Sequence, residues 1–276
     1  PLPSIFTVTG GGNYCSGGTG VDVSLNGSVV GTDYQLYLGG VAVGSPVAGT
    51  GSAISFGMQT AAGTYTAVAT NATSMCTNNM NGSVNVGINV LPIAYTVSGG
   101  GNYCVGGSGL HVSLSGSNTG VAYQLYLGGA TPMGTPIAGT GFGLDFGLQT
   151  ATGNYTVKAT NITTGCVNMM TGSATVGTNP LPNIYAVSST SSNYCAGGAG
   201  VLVALTGSDA GTNYQLYHIG TAVGSPVAGT GAMLNFGLQT TTGTYTVVAT
   251  ASPTGCISNM SGSAVVSLNP VPTAYI

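Results

Sequence analysis

The sequence predicts an all-β chain built from three tandem β-sandwiches. Three observations carry this expectation. First, the chain restarts: Pro3-Ser4-Ile5-Phe6-Thr7-Val8 returns as Pro92-Ile93-Ala94-Tyr95-Thr96-Val97 and as Pro182-Asn183-Ile184-Tyr185-Ala186-Val187, a period of 89 and then 90 residues. A repeat of that size is one small domain, so the array is a row of beads and not a solenoid. Second, helical periodicity is absent, while Gly, Thr and β-branched residues dominate. Third, short runs alternate apolar and polar residues and are punctuated by turn signals. The expected units are 1–90, 91–180 and 181–271, with 272–276 opening a fourth.

In the first repeat, Phe6 and Val8 share one face of a first strand. Val21, Val23 and Leu25 share a face of a second, and Tyr34, Leu36 and Leu38 of a third. Gly39-Gly40 reads as a tight hairpin turn into a fourth strand at Val41-Ala42-Val43. Ile54 and Phe56 mark a fifth. Tyr65, Ala67 and Ala69 mark a sixth, and Val84, Val86 and Ile88 a seventh. Seven short strands in about 90 residues describe a sandwich. The sixth opens on Gly63-Thr64-Tyr65, which recurs at Tyr155 and Tyr245. Immunoglobulin-like sandwiches place a tyrosine corner there, with the ring in the core and the hydroxyl bonded back to the turn.

Composition excludes several functions. Asp22, Asp33, Asp145, Asp209 and Lys158 are the whole charged inventory. Phosphate neutralisation needs several cations, so nucleic acid is not a partner. A polybasic membrane patch is excluded likewise. No apolar run is long enough for a transmembrane helix, and the strands are short for a membrane barrel. His111 and His218 stand at different phases of the repeat with no repeated acid or nucleophile beside them, so they read as solvent-facing or loop histidines. Four scattered Asp make no calcium cage. No enzyme, metal or cofactor is expected. Asn26, Asn71, Asn81, Asn154, Asn161 and Asn259 open glycosylation triplets, common by chance in such a composition.

The six cysteines fall two per repeat: Cys15 and Cys76, Cys104 and Cys166, Cys195 and Cys256. This regularity reads as disulfides and an oxidising, extracellular setting. The default pairing is within repeats, closing loops of about 60 residues worth about 4 kcal/mol each. Strand counting opposes it. Cys15 precedes the second strand and Cys76 follows the sixth, and those strands run the same way. Either Ser16-Gly17-Gly18-Thr19-Gly20 carries Cys15 along the sandwich, or the bonds cross the joints as Cys15–Cys166 and Cys104–Cys256. Buried free thiols are a further alternative. The joints Asn89-Val90-Leu91-Pro92 and Asn179-Pro180-Leu181-Pro182 are short and stiffened by proline. Beads on such joints make a rod on the order of 100 Å long.

The series Asn-Tyr-Cys-x-Gly-Gly-x-Gly, Tyr-Gln-Leu-Tyr, Val-Gly-Ser-Pro-Val-Ala-Gly-Thr-Gly, Gly-Thr-Tyr-Thr, Cys and Asn-Pro-Leu-Pro resembles the Ig-like repeats of very large secreted surface proteins. These occur in gliding Bacteroidota, including their motility adhesins. The resemblance covers the whole chain. Repeat three departs at Ser188-Ser189-Thr190-Ser191-Ser192, and repeat two carries an insertion near Thr131-Pro132-Met133. It implies export, a cell-surface address and filament-forming or adhesive roles. The first expectation is a structural segment of a stalk or filament, whose partners are neighbouring repeats or identical chains. The alternative is an adhesin module that touches glycan or a solid surface through its loops and Tyr37, Tyr126 and Tyr217. Strand alternation places these tyrosines on the outer sheet face, opposite Leu36, Leu125 and Leu216.

Overall fold

The structure is a computed structural model that describes residues 1–271. The fourth-repeat start expected at 272–276 lies outside the described residues. The described chain is all-β, with repeated two-sheet sandwich units. Each repeat holds nine strands where seven were expected. In the first they are β1 (Val8–Gly10), β2 (Gly12–Cys15), β3 (Val21–Leu25), β4 (Thr32–Leu38), β5 (Val41–Ala48), β6 (Ile54–Gln59), β7 (Gly63–Asn71), β8 (Thr77–Asn79) and β9 (Val84–Asn89). One sheet has the order β1-β3-β6. The other has the order β2-β9-β7-β4-β5, with β8 added on β7, and both orders recur in the second and third repeats.

The two additional strands are β2 and β8. The chain leaves β1, which pairs antiparallel with β3, and crosses to the second sheet, where β2 pairs parallel with β9. Gly10 and Gly11 make the crossing at φ of 88° and 70°. A Cβ on Gly10 would lie 2.3 Å from the Asp22 carbonyl oxygen, so only glycine fits. Repeat three crosses without that glycine pair and with one more residue, and its strand shortens to Asn193–Cys195.

Two tyrosines per repeat anchor the core. Tyr34 and Tyr65, Tyr123 and Tyr155, and Tyr214 and Tyr245 are the largest fully buried side chains. A buried phenol needs a partner for its hydroxyl. The Tyr34 hydroxyl accepts the Val29 N–H at 2.9 Å, and Tyr123 and Tyr214 accept the equivalent N–H groups of Asn118 and Asp209 at 2.8 Å. The Tyr65 hydroxyl donates to the Ala61 carbonyl at 2.8 Å, and Tyr245 donates to Thr241 at 2.9 Å. Each bond reaches four residues back to the turn before the strand, the geometry of a tyrosine corner.

The outermost strands of a sheet invite pairing with other chains, and this protein has almost no charge to prevent it. Two are blunted by backbone instead. Gly44 in β5 and Gly57 in β6 sit at φ of 64° and 80°, and β5 also carries Pro46. A glutamine fills each bulge. Gln35 Nε2 donates to the Leu36 and Val43 carbonyls at 2.9 Å. Gln59 Nε2 donates to the Phe56 carbonyl at 2.9 Å. Tyr-Gln-Leu-Tyr is therefore a packing unit. Tyr34 and Leu36 enter the core, Gln35 holds the bulge, and Tyr37 remains outside.

The chain divides into two compact units that do not follow the sequence period. One comprises Pro1–Ser98, Ser113–Phe146 and Tyr155–Ser173. The other comprises Gly99–Val112, Gly147–Asn154 and the chain from Ala174 onward. Each unit thus combines the first or the third repeat with part of the second.

Candidate functional site: a stapled joint between repeats

Within the first unit, β2 runs parallel to β9 with Cys15 opposite Asn89, so Cys15 lies at the end of repeat 1 where the joint begins. The Ser16 N–H donates to the Asn89 carbonyl at 2.9 Å and holds it there. The next repeat receives the joint with its own short strand, Val167–Met169. Asn168 Nδ2 donates to the Pro92 carbonyl at 2.8 Å. Cys166 lies one residue before that strand. Both cysteines therefore flank one joint, and they are bonded: Cys15–Cys166, with Cα atoms 5.5 Å apart. The second unit repeats the arrangement. Cys195 aside, its bonded pair is Cys104–Cys256, again with Cα atoms 5.5 Å apart. Val105 N–H donates to the Asn179 carbonyl at 3.0 Å, and Ser258 Oγ donates to the Pro182 carbonyl at 2.9 Å.

The within-repeat default of Cys15–Cys76, Cys104–Cys166 and Cys195–Cys256 is thus corrected. The physical reason is β2, whose parallel pairing carries Cys15 away from the entry end of its bead. Cys76 lies at that entry end, beside β8, where Asn78 Nδ2 donates to the Pro3 carbonyl. About one length of β7 separates them, ~30 Å at ~3.4 Å per residue. A disulfide needs Cα atoms within about 7 Å. Cys166 and Cys256 are fully buried in their bridges. Cys76 and Cys195 are free thiols, the first half-buried and the second exposed.

The joints differ in their polar contacts. In repeat 3, Asp209 accepts the Asn183 N–H and Asn183 Nδ2 at 2.9 Å each and the Tyr185 hydroxyl at 2.7 Å. Burial pushes the Asp209 carboxyl up, but the bonds from Asn183 and Tyr185 outweigh it and hold it below the ordinary value. Repeat 2 has Asn118 at this position, accepting the Ile93 N–H at 3.3 Å, and repeat 1 has Val29. A shallow hollow at the first joint is lined by Val90, Leu91, Pro92, Ile93, Asn118 and Thr119 among others.

Tyr37, Tyr126 and Tyr217 are half-buried. Tyr37 stands in register with Thr66 and Ala42 of the adjacent strands, and Tyr217 with Thr246 and Ala222. Lys158 Nζ sits 4.9 Å from the centre of the Tyr126 ring, a cation–π contact. His111 is exposed. His218 departs from the expected solvent-facing or loop position. It ends the strand Thr212–His218, its ring lies 4.7 Å from that of Tyr245, and Nε2 is 3.0 Å from the Thr242 carbonyl. Among the described residues no group of three or more His, Cys, Asp or Glu could hold a metal. No helix among them is long and apolar enough to cross a membrane.

No family profile and no curated protein matches the chain. Solved structures that resemble it are tandem immunoglobulin domains. Sidekick-1 domains 1–4 share 14% identity over 98% of this chain and 73% of that one, with a TM-score of 0.25. The mouse nectin-like molecule 4 ectodomain shares 12% over 96% and 98%, with a TM-score of 0.37. An ICAM-5 D1–D4 fragment shares 14% over 97% and 74%, with a TM-score of 0.38. The strand order defines the class: tandem immunoglobulin-like sandwiches with disulfides across their joints.

Proposed function

We propose that this chain is a tension-bearing segment of an extracellular stalk or filament, of the kind built by the giant surface proteins of gliding Bacteroidota. The bridges across the joints carry the reading. A bond inside a bead protects that bead, whereas a bond between beads makes the joint itself covalent at two points. Closing a loop of about 150 residues also contributes about 5 kcal/mol by restricting the unfolded chain. Such bonds persist in an oxidising, extracellular setting. The bulged outer strands support the same reading, because they oppose sideways sheet extension.

The test is immunogold electron microscopy of intact producing cells, using antibody raised against this chain. Label along surface projections, removed by external protease, is expected. Label confined inside the envelope would refute the assignment.

A further inference from the structure

We infer that Cys76 and Cys195 are two complementary halves of the joint bridge, each built to bond the opposite half on a further repeat of this kind, which a second copy of the chain also carries. Cys76 occupies the place of Cys166 and Cys256, and Cys195 the place of Cys15 and Cys104. The backbone around each free thiol already has the bonded form. The Asn71 N–H donates to the Cys76 carbonyl at 3.0 Å, as Asn161 does to Cys166 and Ala251 to Cys256 at 2.8 Å. The Met75 N–H closes the same turn on the Asn71 carbonyl at 2.9 Å, as Gly165 does on Asn161.

At the other half, Cys195 pairs with Asn269 as Cys15 pairs with Asn89. The Ala196 N–H donates to the Asn269 carbonyl at 3.0 Å, and the Gly198 N–H donates to the Cys195 carbonyl at 2.8 Å. The corresponding bonds at Cys15, from Ser16 and Gly18, are both 2.9 Å. The sites where Cys166 and Cys256 are fully buried by their bridges thus have an open counterpart at Cys76. Both halves are accessible and preorganised, and they differ in kind: a turn before a short strand, and the end of a strand paired parallel to its neighbour.

Coupling proceeds by thiol–disulfide exchange and needs a disulfide oxidant, such as glutathione disulfide or an oxidoreductase of the secretory route. The Cys195 thiolate of one copy attacks the oxidant, forms a mixed disulfide and releases one thiolate. The Cys76 thiolate of a second copy then attacks Sγ of Cys195 and releases the other. Two thiols become one disulfide, two protons are lost, and two electrons pass to the oxidant. The inference deepens the stalk reading and rests on it, since a chain coupled head to tail transmits tension across the new joint as across the old ones.

The experiment uses the full chain with its two native bridges intact, incubated with glutathione disulfide and run on non-reducing gels. Wild type is expected to give a ladder in whole-chain steps, with Cys76–Cys195 as the linking peptide. Cys76→Ser alone and Cys195→Ser alone should remain monomeric. Their mixture should give one dimer band, at least tenfold more abundant than in either variant alone. Dimers of equal yield in a single variant, through Cys76–Cys76 or Cys195–Cys195, would overturn the inference. So would a Cys76–Cys195 link confined to monomers at every dilution, or no dimer in the mixture. Each of these outcomes is independent of where the immunogold label falls on cells.

Discussion

Stretching one chain by its ends reads out the joint bridges directly. The shortest covalent path follows 15 residues to Cys15 and crosses to Cys166. It then returns 62 residues to Cys104, crosses to Cys256 and ends 20 residues later. About 100 residues therefore carry the load, which extend to ~350 Å at ~3.5 Å per residue. With both bridges reduced all 276 residues carry it, reaching ~970 Å. Bonds inside each repeat would leave a path of similar length, so total extension does not separate the two arrangements. Single variants do. Under the observed pairing, Cys76→Ser leaves the extension unchanged, and Cys166→Ser lengthens it by ~100 Å, because about 27 more residues enter the path. Under pairing inside repeats, each variant would lengthen it by ~200 Å, about 60 residues. Single-molecule force spectroscopy with terminal handles, free thiols blocked, resolves these steps. A gain of ~200 Å in Cys76→Ser would refute the reasoning.

Further predictions concern the fold and the joints. Tyr65→Phe removes the corner bond to Ala61 and should cost about 1 kcal/mol in denaturant unfolding. Ile219 holds φ of 47° in the hairpin position that Gly39 and Gly128 fill in the other repeats, and Met75 holds φ of 55° where the others have Gly165 and Gly255. Ile219→Gly and Met75→Gly should each stabilise by about 1 kcal/mol, read as a higher denaturation midpoint. Asp209 has a depressed folded pKa. Its contribution is therefore whole above the unfolded value near pH ~4 and lost as pH falls through the folded one. Asp209→Asn should abolish that acid-side loss, followed as thermal midpoint against pH. Burial raises the Tyr65, Tyr123 and Tyr214 hydroxyls above their ordinary value. Their contribution is whole below pH ~10 and lost as pH rises through the folded values, so alkaline unfolding should follow tyrosinate absorbance.

Much of the fold was legible in the sequence because the core strands alternate cleanly. Val23 and Leu25, Tyr34 and Leu36, and Tyr65, Ala67 and Ala69 all point inward as the alternation requires. Both additional strands lacked that signal. Gly12-Asn13-Tyr14-Cys15 has no apolar alternation, follows two further glycines, and pairs only along one side, so it reads as loop. Thr77-Asn78-Asn79 is three residues of polar strand whose purpose is to grip the incoming joint. Missing β2 is what left the disulfides undecided. In a plain sandwich Cys15 and Cys76 lie at opposite ends of the bead, and they do so here. The segment that carries Cys15 along the bead is Gly12–Cys15, and it leads to the neighbouring repeat. The glutamines gave no warning either. Gln35 and Gln59 read as ordinary polar strand residues until the bulges at Gly44 and Gly57 show what they fill.

The central claim is that covalent bonds cross the joints, and non-reducing peptide mapping tests it most directly. Trypsin has only Lys158 to cut, so chymotrypsin is the suitable protease, cleaving after Tyr14 and Tyr103. The account predicts linked peptides joining Cys15 to Cys166 and Cys104 to Cys256, with Cys76 and Cys195 of the uncoupled monomer available to alkylation. A peptide joining Cys15 to Cys76 would contradict it.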